Sequence, residues 1–136
     1  MQVYFKNNFV SIYYNKESRL GKAVWNGHLE GAELREAFLL CLELIDRFML
    51  TRWLADDRLM KSIEPADLEW SKQNYIPRIG NSSLLRFARL PSQFQKNLEA
   101  VNAMIEQSHT LKTKVVPLDF TDEQEAMDWL MEPLEV

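Results

Sequence analysis

Three segments rich in aromatic and β-branched residues follow one another within the first 25 positions, and the spacers between them are too short to hold a helix. Val3-Tyr4-Phe5, Phe9 to Tyr14 and Leu20 to Trp25 are separated by Lys6-Asn7-Asn8 and by Asn15-Lys16-Glu17-Ser18. Such residues favour the pleated, half-buried surface of a sheet, and short polar spacers join antiparallel neighbours. Asn7-Asn8 is expected to turn the chain tightly, because Asn tolerates positive φ. The amino-terminal part of the fold is thereby restricted to an antiparallel meander.

The period of the pattern then changes. After Gly27-His28-Leu29-Glu30-Gly31, apolar residues recur at three- and four-residue intervals from Ala32 to Leu50, namely Leu34, Phe38, Cys41, Leu42, Ile45 and Met49. This spacing predicts a long amphipathic helix. Leu39, Leu40, Leu44 and Phe48 widen its apolar face, so the helix is either buried on two sides or shared with a second chain as a homodimer interface. Beyond it, Arg52 to Asp56 reads as a short strand. Pro65 to Tyr75 reads as a helix with Pro in its first turn, and Ser83 to Leu90 as a strand stopped by Pro91. Ser92 to about Ser108 is expected to be helical. Lys114 to Leu118 is expected to be a strand, with Pro117 placed at a sheet edge or at the strand's end because it lacks a ladder donor. Thr121 with Gln124 predicts a capping box opening a last helix that runs through Met131.

The order is three strands followed by helix, strand, helix, strand, helix, strand and helix. The implied fold class is α/β, a mixed sheet with antiparallel amino-terminal strands and then alternating βα units joined by right-handed crossovers. With 136 residues and no linker or repeat dividing them, residues 1–136 are expected to form one domain. Ligands in such sheets gather at the carboxyl ends of the parallel strands, which directs attention to the segments after Asp56, Leu90 and Leu118.

Composition narrows the functional classes. Four glycines, two histidines and one cysteine supply few parts for a phosphate loop, a metal centre or thiol chemistry, and no cofactor is expected. A lone Cys41 cannot close an internal disulfide, and no basic-then-apolar leader is legible, so a reducing cytoplasm is the expected location. The most apolar run, Ala37 to Ile45, is broken by Glu43 and is far short of a membrane span. Net charge is −4, which argues against a nucleic-acid partner.

Few groups with chemistry converge. Asp56-Asp57-Arg58 follows a strand, where an open sheet often places a functional acid, although the same residues serve equally as a structural ion pair bracing a loop. His28 and His109 show no second His, Cys or acid at metal-ligand spacing, so no metal site is expected, and Cys41 reads as a small core residue. No G-x-S-x-G, G-x-G-x-x-G or P-loop string occurs, and no catalytic residue is assigned. Of the four tryptophans, Trp70, with Tyr75 beside it on the expected helix, is the one placed to meet a ligand or partner. Arg52, Arg58, Arg78, Arg86 and Arg89 would make an anion site if they converged, and are otherwise scattered surface residues.

The stretch Arg52 to Trp70, the Tyr75-Ile76-Pro77-Arg78 that follows, and the closing Phe120 to Leu130 resemble the STAS and SpoIIAA-like group, especially its small stand-alone bacterial STAS/SEC14-type members. The resemblance implies a SpoIIAA-like fold and a non-enzymatic domain that binds a protein partner or a small ligand. A carrier of lipid or another apolar small molecule, SEC14-like in character, is the alternative. The implied binding residues are Asp56, Asp57, Arg58, Ser62, Trp70 and Tyr75. In antagonist members of the group a serine at the start of the helix is phosphorylated, and the added charge breaks a complex. Here Arg58 stands where that motif has its hydroxyl residue, Glu64 precedes Pro65, and Ser62 is the only hydroxyl nearby.

Overall fold

The computed structural model describes residues 1–134 of the chain. Strands β1 (Gln2–Lys6), β2 (Val10–Asn15) and β3 (Leu20–His28) form the meander. They are followed by α1 (Ala32–Phe48), β4 (Arg52–Ser62), α2 (Pro65–Trp70), a π-helical turn (Ser71–Tyr75), α3 (Ile76–Gly80), β5 (Arg86–Leu90), α4 (Gln95–Ser108), β6 (Val116–Asp119) and α5 (Glu123–Met131). The strands form one six-stranded sheet in the order β1-β2-β3-β4-β5-β6. The first three are antiparallel and the remaining pairings are parallel. The mixed α/β class read from the sequence is therefore the observed one, and β6 with Pro117 lies at the sheet edge.

Each parallel step returns through a helix, and α1 to α4 share one face of the sheet. Trp25 and Trp53 on the strands pack there with Phe38 and Cys41 of α1, Tyr75, Ile79 and Met104 in the main core. Room for the two indoles comes from small neighbours. Gly21 stands opposite Trp53, and Ala23 opposite Ala55. The other face carries α5, whose Ala126 and Leu130 are buried against Leu20, Leu54, Ala88 and Leu90 in a second cluster. Burying one such large side chain contributes roughly 1.5–3 kcal/mol, so both faces matter to stability.

Charges hold α5 at both ends. Near its amino end Glu123 receives Lys22 Nζ at 3.0 Å and Arg58 Nη2 at 3.2 Å. At its carboxyl end Arg52 donates to Leu130 O at 2.6 Å, and Arg86 donates to Trp129 O at 2.9 Å and Glu132 O at 2.8 Å. Orphan carbonyls of a last turn are natural acceptors for cationic donors. These arginines serve the fold and do not converge on an anion site.

Several local expectations are corrected. Asn7 turns the chain through its side chain, whose Oδ1 accepts from Phe9 N at 2.8 Å and Val10 N at 2.9 Å. Positive φ among non-glycine residues occurs instead at Arg19 and Met49. Met49, at φ 50°, caps α1 after Phe48, so the helix stops two residues short of Leu50. The expected helix Pro65–Tyr75 continues to Gly80 by way of the π-turn. The strand expected from Ser83 starts at Arg86, the helix expected from Ser92 starts at Gln95, and the strand expected over Lys114–Leu118 spans Val116–Asp119. The cap of α5 is Asp122, accepting from Glu125 N at 3.1 Å, and not Thr121 with Gln124. Asp lies one residue nearer the helix and is an equally good cap. No helix among the described residues is long and apolar enough to cross a membrane.

Candidate functional site

The largest correction concerns Asp56-Asp57-Arg58, which lie inside strand β4 and not in a loop after it. Because successive strand residues point to opposite faces, the two acids are separated by the thickness of the sheet. Asp56 faces the α5 side and is engaged by Arg58 through two bonds, Nε to Oδ1 at 3.0 Å and Nη2 to Oδ2 at 2.8 Å. This forked pair holds the guanidinium of Arg58 firmly protonated, chiefly through its hydrogen bond to Asp56. The structural ion-pair reading therefore holds for these two residues, within a strand.

Asp57 faces the helices and lines a small cavity of about 70 Å³. Trp25, Trp53, Ala55 and Met60 from the strands, with Phe38 and Tyr75 from the helical layer, form much of its apolar wall. The strand register shifts between Asp56 and Leu59, so β4 holds an extra residue opposite β3. That bulge interrupts the alternation and brings Met60 onto the same face as Asp57, as bulges near functional sites often do. A second lobe of about 60 Å³ continues past Ile76, Ile79, Phe87 and Ile105 toward Gly80 and Thr113.

Burial pushes the Asp57 carboxyl up to about 7, against the opposing attraction of Arg89 and with further upward contributions from Asp56 and Asp119. Arg89 is itself buried, and its guanidinium is held by Asp119 (Nε to Oδ1, 2.9 Å) and by Asn102 (Nη2 to Oδ1, 3.0 Å). The cation nearest Asp57 is thus shared with an exposed acid, which leaves desolvation the larger effect. Tyr75 stacks on Phe38 with ring centroids 4.2 Å apart and planes 10° apart, and burial pushes its phenol well above the ordinary range.

Of the six residues anticipated as binding groups, the structure brings Asp57 and Tyr75 together at this cavity. Asp56 and Arg58 pair on the opposite face. Trp70 packs at the margin of the main core, with the Arg35 guanidinium 5.5 Å from its ring centroid. Ser62 ends β4, where its Oγ lies 2.7 Å from His28 Nδ1 at the end of β3. His28 was expected to lack acidic neighbours at ligand distance. Instead Glu30 and Glu64 each place a carboxylate oxygen 3.4 Å from its Nε2. Glu64 is 36 positions away in sequence, so no local spacing could reveal it. Of the remaining cavity residues, Arg89 stands out in the sequence only among the scattered arginines, and others such as Met104 carry no signal beyond ordinary strand and helix patterning.

The topology has a counterpart among solved structures. An uncharacterized protein of the DUF3478 family with a SpoIIAA-like fold, from Shewanella loihica PV-4, aligns with 93% of this chain and 98% of its own, at a TM-score of 0.56 and 18% identity. The fold is SpoIIAA-like. The resemblance noted from Arg52–Trp70 and Phe120–Leu130 thus extends to the three-dimensional fold. No family model matches the sequence, and the search of curated proteins found no similar one.

Proposed function

We propose that this SpoIIAA-like chain is a non-catalytic binding domain that takes a small, mainly apolar ligand into the helix-side cavity, with a donor group of the ligand directed at Asp57. The observation that supports this reading is a carboxyl group set in a wall that is apolar apart from Tyr75 and Arg89, whose guanidinium is already held by Asp119 and Asn102. Such placement costs free energy unless a partner satisfies the group, and a ligand hydroxyl or amine would do so. Few precisely directed polar groups in a mostly apolar pocket is the usual composition of a small-molecule site.

The size of the cavity favours a small molecule over a long acyl chain, since pockets for drug-sized ligands run to ~300–1,000 Å³. A SEC14-like lipid carrier would require α3 and α4 to part and merge the two lobes. A protein partner could not reach Asp57 or Tyr75, each only 5% exposed, and would have to use Arg58 or Trp70 instead. Trp25 and Trp53 line the cavity, so occupancy should alter intrinsic fluorescence. Titration with propan-2-ol and isopropylamine, which are small enough for a cavity of this size, is expected to give a saturable change that is lost in Ile105→Phe, which adds bulk where the lobes meet. No saturable change with either probe, together with no retained small molecule in native mass spectra of the gently purified protein, would overturn the proposal.

Self-association through Ala32–Leu50 is a separate proposal. Much of that apolar surface is used within the chain, and Leu39 and Met49 are its large side chains left exposed. Sedimentation velocity at high concentration decides it, and a strictly monomeric boundary would remove it.

A further inference from the structure

At the carboxyl ends of β3 and β4 strand pairing sets His28 directly beside Ser62. Two carboxylates close over the same ring: Glu30 from the loop after β3 and Glu64 from the residue before α2. One ligand atom from each of His28, Glu30 and Glu64 lies within 4.8 Å of the others. Both carboxylate oxygens stand 3.4 Å from Nε2. A charge-assisted hydrogen bond prefers ~2.7–2.9 Å, which is shorter than either contact. Ligands held tetrahedrally at ~2.1 Å from a Zn²⁺ ion are separated from one another by about 3.4 Å, which is the separation between Nε2 and each carboxylate oxygen.

The ring is also oriented as a metal ligand requires. Its Nδ1 is engaged by Ser62 Oγ at 2.7 Å, which leaves Nε2 turned toward the carboxylates. A metal-binding histidine characteristically uses its second nitrogen in this way, to set ring orientation and tautomer. The two acidic segments are tied together by a buried third group. Asp67, 3% exposed, accepts from Gly31 N at 2.8 Å and from Arg35 Nε at 3.1 Å, joining the loop that carries Glu30 to the helix that follows Glu64. The geometry points to a divalent transition-metal site, of Zn²⁺ type, formed by His28 Nε2, Glu30 and Glu64, with Ser62 as a positioning residue. One nitrogen and two oxygen ligands leave at least one position for water or an exogenous ligand. Ser62 and Glu64 also border an open cleft lined by Lys96 and Glu99, from which that position would be reached.

Isothermal titration of the full chain with Zn²⁺ is expected to show one saturable site. Mg²⁺ and Ca²⁺ are expected to compete poorly, since the imidazole suits a softer ion. Glu64→Gln and His28→Ala should each weaken binding by more than about tenfold, and Ser62→Ala by roughly tenfold. Glu64 is exposed, so its substitution leaves folding intact and keeps the test interpretable. Co²⁺ added in place of Zn²⁺ should give the visible absorption of a tetrahedral site in the parent and not in Glu64→Gln. Absence of saturable Zn²⁺ binding, or equal affinity in parent, His28→Ala and Glu64→Gln, would overturn the assignment.

Discussion

Asp56 and Asp57 are adjacent in sequence and lie on opposite faces of β4, one clasped by Arg58 and the other set in an apolar cavity wall. The burial of Asp57 makes stability depend on pH. Folded Asp57 keeps its proton up to about 7, whereas its ordinary value is 3.8. Between those values the native state binds more protons than the unfolded chain, so stability falls as pH rises through that window and levels off above it. Asp57→Asn should flatten this slope and be the more stable protein at pH 8, by on the order of a few kcal/mol at most, with the advantage vanishing near pH 4. Urea unfolding from pH 4 to 8 reads it directly, and parallel slopes for the two proteins would contradict the burial argument.

Gly21 and Trp53 stand in register on neighbouring strands, and a Cβ on Gly21 would lie 2.9 Å from Leu50 Cδ1 and closer still to the indole of Trp53. The indole is 1% exposed and cannot yield toward solvent. Gly21→Ala should therefore destabilise the fold by about 1–3 kcal/mol or more through overpacking. Thermal unfolding measures this, and an unchanged midpoint would show that the core yields there.

Arg86 bridges the end of α5 by bonds to Trp129 O, Glu132 O and Pro133 O. Arg86→Ala should cost about 1.5–3 kcal/mol, the range for hydrogen bonds with a charged donor. Amide exchange should accelerate in α5 before it does in α1, because the lost bonds lie at one end of one helix. Arg86→Lys should rescue only part of this, since an ammonium lacks the planar fork.

Cys41 is fully buried, and desolvation raises its thiol far above the ordinary range. It should resist a thiol reagent in the native protein and react at a rate set by opening of the structure. Labelling kinetics that rise in step with urea would agree with this. Rapid labelling of the fully folded protein would not.

Much of the fold was legible because its strongest signals are local. Alternating aromatic and β-branched residues in Val3–Trp25, the helical period of Ala32–Leu50, and the position of Pro117 each depend on neighbours a few positions away. They led to the observed order of elements and to an edge position for β6. The misplacements were also physical. Asp56-Asp57-Arg58 read as a loop because charged residues seldom occupy a central strand, and only α5, packed on the second face and presenting Glu123 to Arg58, makes that strand tolerable. The binding set anticipated along Arg52–Trp70 was a list in one dimension. Strand alternation divided it between two faces, and the bulge after Asp56 decided which residues share the cavity.

The sequence by itself determined the class of fold, the antiparallel beginning and parallel continuation of the sheet, and the shortage of catalytic parts, because these depend on local propensity and composition. Only the tertiary structure decided that Asp57 meets Tyr75 in an apolar cavity, and that His28 meets Glu64 across 36 positions. Such meetings depend on register, crossover and face, which exist only once strands have paired and helices have packed.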